Sequence, residues 1–266
     1  MKRDRLLTIL SEVNKGGTVK TADLIKKLDV SDMTVRRDLD ELAESGKIIR
    51  LHGGAQSIKS SIIYEASHVE KREIHIEEKR EVARIAASEI QNGETIFIGP
   101  GTTLELLASY IQVDYLRVVT NSLPVFESFQ KERPQIDLVL TGGTFRQRSG
   151  AFIGELTNGT IEKLKFNRAF VGVNGIRNES VMTADTEEGQ TQKKALNNAQ
   201  IKYILTDHYK LNKDDFYQFY SLYDIDYLIT NHQLSNEALT HYGQYTKVKT
   251  TENINRPKEI TKWKLH

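Results

Sequence analysis

Two sets of residues in the chain have the types and spacing needed to hold negative charge. The first runs from Ser31 to Gly54. Ser31 is suited to cap a helix, and the helix start behind it would present unpaired N–H groups and a positive dipole end to an anion. Val35, Leu39 and Leu42 repeat at helical spacing and form one apolar stripe, which puts Met33, Arg36, Arg37 and, a turn later, Asp40 on the opposite side. Lys47 to His52 then reads as a strand carrying Arg50 and His52, turned back by Gly53-Gly54 towards Ala55–Ile58. The second set is a series of polar or glycine-rich stretches, each following a short apolar run. These are Gly99-Pro100-Gly101-Thr102-Thr103, Asn121-Ser122, Thr141-Gly142-Gly143-Thr144, Asn174-Gly175 and Asp207-His208-Tyr209-Lys210. Glycines let backbone N–H groups approach an anion, hydroxyls add donors, and a lysine adds a charge-assisted hydrogen bond.

The elements that must position the first set are legible around it. Leu6, Ile9, Leu10 and Val13 give a first amphipathic helix ended by Gly16-Gly17; Thr21 caps a second, whose Leu24, Ile25 and Leu28 face inward; Asp29-Val30 links tightly into Ser31. Three helices and a hairpin within about 58 residues make a winged helix-turn-helix, a reader of the major groove of double-stranded DNA. The excess of basic groups in this segment is small, so position carries the argument: the charges lie on the outer face and the wing. Met33, Thr34 and Arg37 are expected in the groove, and Ser31, Arg36, Arg50 and His52 on phosphates. A single small head of this kind needs a symmetric homo-oligomer to read an operator tightly.

The second set belongs to an alternating pattern. Residues 58–75 read as a linker, followed by a helix at Glu78–Ile90. Strands are expected at Thr95–Ile98, Leu116–Thr120, Ile136–Leu140, Ala169–Val173, Lys202–Thr206 and Tyr227–Thr230, and helices at Thr102–Ile111, Pro124–Lys131, Ile153–Leu164 and Glu187–Ala199. The fold class is therefore α/β, a mainly parallel sheet covered on both faces and preceded by the winged helix-turn-helix. Ligands of such sheets bind at the carboxyl ends of the strands, where all five polar stretches fall. Together they describe a pocket for a small, hydroxylated anion. A sugar phosphate fits, with its phosphate on Gly99, Gly101, Thr102 and Thr103 or on Lys210. Asn121, Ser122, Gly142, Gly143, Asn174 and Asp207 are further candidates at the strand ends. The first stretch is neither a Walker A loop nor a dinucleotide fingerprint, and no cofactor is indicated.

Composition narrows the classes. The 266 residues carry 37 Lys and Arg against 36 Asp and Glu, so nucleic-acid affinity must come from local charge. The absence of cysteine removes disulfides, thiolate metal sites and cysteine nucleophiles. The seven histidines are scattered without ligand spacing, so no metal site is expected. No apolar run approaches the ~20 residues of a membrane span and no signal-peptide core follows Met1, so a cytoplasmic protein without membrane partners is expected. The organisation is 1–57 head, 58–75 linker, 76–249 sheet domain and 250–266 polar tail.

The run Ser31-Asp32-Met33-Thr34-Val35-Arg36-Arg37-Asp38-Leu39 with Arg50-Leu51-His52-Gly53-Gly54-Ala55 resembles the DeoR family of bacterial transcriptional repressors. The resemblance spans nearly the whole chain and implies a sugar-phosphate sensor domain related to ribose-5-phosphate isomerase. Ile98-Gly99-Pro100-Gly101-Thr102-Thr103 and Phe152-Ile153-Gly154-Glu155-Leu156 resemble a subgroup acting on lactose and galactose utilisation genes, which implies tagatose 6-phosphate as effector. It also implies that Lys71, Lys79, Asp207 and Lys210 respond to that effector. Two alternatives stand beside repression. An activator needs the same parts. A sugar-phosphate isomerase needs a carboxylate base, for which Asp185, Glu187 and Glu188 are candidates. They open a helix, however, where acidic residues complement the dipole. The related isomerases carry an acidic loop where this chain has Asn174, which cannot act as a base, so a sensor without turnover is expected.

Overall fold

The computed structural model describes residues 2–51, 53–57 and 67–251, divided between two units, Met1–Glu65 and Ala66–His266. The first holds α1 (Lys2–Gly16), β1 (Thr18–Lys20), α2 (Thr21–Leu28), α3 (Asp32–Glu44), β2 (Ile48–Leu51) and β3 (Gly54–Ser57). Ile9 and Val13 of α1, Leu24 of α2, and Val35, Leu39 and Leu42 of α3 close one core with Ile48 and Ala55. Each fully buried aliphatic side chain there contributes about 1.5–3 kcal/mol. The strand β1, too short to show a period in the sequence, pairs antiparallel with β3 and makes a three-stranded sheet in the order β1-β3-β2. Gly54 permits this pairing, because a Cβ at that position would collide with the Val19 carbonyl. The expectation that Thr21 caps α2 is corrected. Thr21 is the first helical residue, Lys20 sits at the cap without a side-chain hydrogen bond, and the Thr21 hydroxyl is buried without a hydrogen-bond partner. The chain enters α2 straight from β1, fixed by the Thr21 amide donating to Gly53 O at 2.9 Å.

In the second unit seven parallel strands lie in the order β15-β14-β12-β9-β4-β5-β6. They are β4 (Thr95–Ile98), β5 (Arg117–Thr120), β6 (Asp137–Leu140), β9 (Phe166–Gly172), β12 (Ala199–Leu205), β14 (Tyr227–Ile229) and β15 (Lys247–Lys249). Alternation along each strand feeds two cores. Ile96, Ile98, Val118, Phe170 and Leu205 pack with Val82 and Ile85 of α5 (Ile76–Ser88) and with Val125 and Phe129 of α7 (Leu123–Glu132). Phe97, Val119, Val171, Ile204 and Leu228 pack on the other face with Ala195 and Leu196 of α9 (Thr186–Asn197) and Tyr242 of α10 (Asn236–Tyr242). The strand β4 pairs with β5 on one side and β9 on the other, so the sheet grows in opposite directions from it. A crevice opens at the carboxyl ends of strands at such a reversal.

Several elements differ from the sequence expectation. The expected helix Thr102–Ile111 is α6 (Thr102–Glu105) followed by a tighter 3-10 turn at Leu106–Ser109. Ile153 does not open a helix: it pairs with Thr144 in the hairpin β7 (Thr144–Arg146) and β8 (Ala151–Ile153), and α8 spans Glu155–Ile161. A second antiparallel sheet joins β10 (Gly175–Arg177), β11 (Ser180–Thr183) and β13 (Tyr217–Ser221). Its first turn passes through Asn178 at φ 51, a left-handed conformation that asparagine tolerates. Of the expected linker, 58–66 lies outside the described residues, while His68–Arg72 forms a helix, α4, entered through a reciprocal Ser67–Glu70 capping box. Of the expected tail, 252–266 lies outside them as well. Among the described residues no helix is long and apolar enough to cross a membrane.

Candidate functional site

The outward face of α3 is built as its residue types require. Ser31 Oγ accepts from the Thr34 amide at the helix start, and its hydroxyl lies 2.9 Å from Thr34 Oγ1. Met33 is 75% exposed, and Arg37 is exposed with no hydrogen bond or ion pair among the described residues. Arg36 and Arg50 are committed to internal partners: Arg36 pairs with Asp32 and Arg50 with Asp40, each at 2.7 Å. Arg50 also donates to Leu51 O at 3.1 Å and to Gly54 O, which braces the wing. His52 lies outside the described residues.

Asp38, within the motif Ser31–Leu39, is buried and receives the guanidinium of Arg5 from α1 on both carboxylate oxygens. It stands three residues after Val35, on the same face as Leu39 and Leu42, and that spacing was the available signal. A buried carboxylate at this place locks α3 to α1, so the outer face is presented on a fixed base.

In the sheet unit the reversal at β4 gathers three loops: Gly99–Thr103 after β4, Val173-Asn174 after β9, and Thr206–Lys210 after β12. Lys71 of α4 donates to Asn174 Oδ1 at 3.4 Å, and Lys210 donates to Val173 O at 2.8 Å. Lys79 of α5 is only 3% exposed and donates to Lys71 O. Burial is the main cause of a lowered Lys79 pKa; Asp207 opposes it and Lys71 adds to it. Burial likewise pushes Lys210 down to about 8, opposed by Asp207 and reinforced by Lys71, Lys79 and Lys213. One Asp207 oxygen is buried without a hydrogen-bond partner. Three lysines thus feel one another with one aspartate beside Lys79 and Lys210, an arrangement an added anion relieves.

The loop bearing Asp207 and Lys210 is held from outside. Tyr209 stacks on His75, whose ring centre is 3.7 Å away, and the His208 ring lies tilted against it at 3.9 Å. The His208 amide donates to Asn231 Oδ1 at 2.8 Å. Neither His75 nor Asn231 was singled out in the sequence, since a left-handed histidine before a helix carries no periodic signal.

The other candidates divide. Thr102 and Thr103 are buried at the start of α6, just past the carboxyl end of β4. Gly101 precedes that helix, whereas the Gly99 amide is already engaged by Phe170 O at 2.9 Å. Asn121 donates to Phe152 O at 2.9 Å and keeps a buried Oδ1 without a hydrogen-bond partner. Ser122 caps α7. Gly142 and Gly143 follow β6 at the sheet edge, two strands from β4, where Gly142 O accepts the Thr157 hydroxyl at 2.7 Å. Gly143 has φ 145 and its missing Cβ makes room for Thr157, so packing accounts for that turn. Asp185 and Glu188 face Arg146, at 3.4 Å and 3.3 Å.

Known proteins share this organisation. The DeoR-like helix-turn-helix domain matches residues 5–61, and the DeoR C terminal sensor domain matches residues 74–232. A lactose phosphotransferase system repressor of Streptococcus mutans is 44% identical over 248 residues, 93% of this chain and 98% of that protein. One of the same name from Lactococcus lactis is 42% identical over 250 residues, again 93% and 98%. Another from Staphylococcus aureus is 42% identical over 233 residues, 87% and 93%. Among solved structures, ribose 5-phosphate isomerase A from Neisseria gonorrhoeae is 15% identical and covers 50% of this chain and 52% of its own, at TM-score 0.36. That likeness is too slight to bear on activity. The chain belongs to the DeoR family, a helix-turn-helix domain followed by its sensor domain.

Proposed function

We propose that the protein is a cytoplasmic transcriptional repressor of lactose or galactose utilisation genes. As a homo-oligomer it binds a double-stranded DNA operator and is released by a sugar phosphate, tagatose 6-phosphate. The single observation that carries the sensing half is the lysine cluster: Lys71, Lys79 and Lys210 gathered on Asp207 and Asn174 at the sheet reversal. A phosphate dianion there neutralises mutually repelling ammonium groups in a partly desolvated site, where each charge-assisted hydrogen bond contributes about 1.5–3 kcal/mol. Asp207 and Asn121 each keep a buried oxygen without a hydrogen-bond partner, suited to accept from sugar hydroxyls. Met33, Thr34 and Arg37 read the groove, and Ser31, Arg36, Arg50 and His52 hold phosphates once Asp32 and Asp40 release the two arginines. Repression, as opposed to activation, follows the relatives, which are named repressors.

Binding without turnover is the accompanying reading. Asn174 offers no base, and the carboxylates of Asp185 and Glu188 are engaged by Arg146. Release requires the effector to bind the DNA-incompetent arrangement more tightly than the competent one. A gel-shift titration on the promoter region of the chain's own gene, repeated with a panel of sugar phosphates, tests this. Retarded duplex freed by tagatose 6-phosphate supports it; isomerisation of any sugar phosphate in the panel contradicts it.

A further inference from the structure

Glu105 ends α6, the short helix behind the Gly99–Gly101 loop, and is only 7% exposed. A carboxylate buried to that degree is costly unless paired. Both partners come from α4. Arg72 donates to Oε1, and His68 Nε2 lies 3.1 Å from Oε2, close but not aligned as a hydrogen bond. His68 and Arg72 are four apart and so share one face of α4. Burial alone would raise the Glu105 pKa, but His68 and Arg72 outweigh it and hold it below the usual carboxylate range.

Among the described residues the same helix buries no apolar side chain. It is five residues long, far below the length at which a helix stands alone, and none of its residues is buried. Val69 is exposed to solvent. Polar contacts reach it from the rest of the unit, among them the His68 amide donating to Arg148 O at 2.8 Å and the Glu105 carboxylate, while the capping box closes its own first turn. Lys71, on another side of the helix, reaches Asn174, and the Lys71 carbonyl receives Lys79. The helix is thus fixed by Glu105 on one side and belongs to the lysine cluster on the other. In sequence it directly follows the segment that leads from the first unit. An element held by polar contacts and not by apolar burial is one whose docking a ligand can shift.

We propose that Glu105 is a positioning residue: through His68 and Arg72 it docks α4 so that Lys71 meets the effector phosphate, making docking of α4 the step that links pocket occupancy to the DNA-binding unit. Repulsion among the three lysines works against docking in the empty pocket, and the phosphate removes it. The effector therefore favours docked α4, and the docked form is the one that leaves the operator. This rests on the sugar-phosphate reading given above.

The test uses the full chain, a fluorescent operator duplex and tagatose 6-phosphate. Glu105→Gln keeps the shape and removes the charge. Its operator affinity without effector should stay within about twofold of wild type, while the effector concentration for half-release rises about tenfold. Hydrogen exchange over residues 68–74, slowed by tagatose 6-phosphate in the wild type, should slow less in the variant. Arg72→Leu changes a side chain that is 59% exposed, so the core is untouched, and it should move both readouts in the same direction. Arg72→Lys should restore most of the response. Wild-type half-release and exchange slowing in both Glu105→Gln and Arg72→Leu would overturn the proposal, as would loss of effector-free operator affinity in both. A wild type that binds the duplex but takes up no sugar phosphate overturns the sensing reading and this inference with it.

Discussion

The two units each present cations, in opposite settings. On α3 Arg37 is exposed, and Arg36 of α3 and Arg50 of β2 pair with carboxylates that are themselves more than half exposed. At the sheet reversal, Lys79 is buried and Lys210 has been pushed down to about 8, chiefly by desolvation. Solvated arginines suit a long polyanion, met at many points and screened by salt. Desolvated lysines suit one small anion, met once at short range, where the low local dielectric makes each contact count. The difference teaches that similar charge counts serve two kinds of partner, and that burial decides which.

The comparison breaks most sharply at its two ends. Arg37→Ala should weaken operator binding by about 1–3 kcal/mol per half-site, compounding to about thirtyfold or more across two half-sites, on the order of the loss of one base contact per head. Effector affinity, measured by calorimetry, should be unchanged. Lys210→Ala should do the converse: operator affinity as in wild type, and effector affinity lower by about ten- to a hundredfold. If either variant moves both affinities together, the division of labour is wrong.

A smaller effect sharpens the contrast through pH. The unfolded chain holds the Lys210 proton to about 10.4, the folded chain only to about 8. The unfolded state therefore binds more protons between those values, and the Lys210 contribution to stability rises with pH across that window. Effector binding runs the other way, since it needs the ammonium. Affinity should fall by about tenfold from pH 7 to pH 9, while operator affinity, carried by arginines, changes much less over the same range. The smallest expected change concerns the base of α3. Asp38→Asn leaves its outer face intact but loosens the link to Arg5, so the melting temperature of the N-terminal unit should drop while base preference at the operator is retained, as read by competition among mutated duplexes.

Much of this was legible in the sequence because it depends on period. The α3 stripe of Val35, Leu39 and Leu42, the Ser31 cap, and the apolar runs of β4, β9 and β12 follow local rules that tertiary contacts reinforce. The strand-end stretches could be found the same way, and the sheet order then chose among them. Gly99–Thr103, Asn174 and Asp207–Lys210 meet at the reversal, while Gly142-Gly143 is two strands away under Thr157. Strand order is a long-range property with no local period, so that choice could not be read in advance. Short antiparallel pieces such as β1 and β10–β11 carry no signal of their own because three or four residues cannot show alternation. Glu105 stayed hidden for a related reason: its partners His68 and Arg72 lie 37 and 33 residues earlier, in a charged stretch that reads as solvated linker.

The most direct test of the central claim is fluorescence anisotropy of an operator duplex with the wild-type chain, titrated with tagatose 6-phosphate and, in parallel, with inorganic phosphate. The account predicts a tight complex without effector, dissolved by the sugar phosphate and little affected by phosphate alone at the same concentration. A duplex that stays bound at saturating tagatose 6-phosphate, or that never binds at low salt, would contradict it.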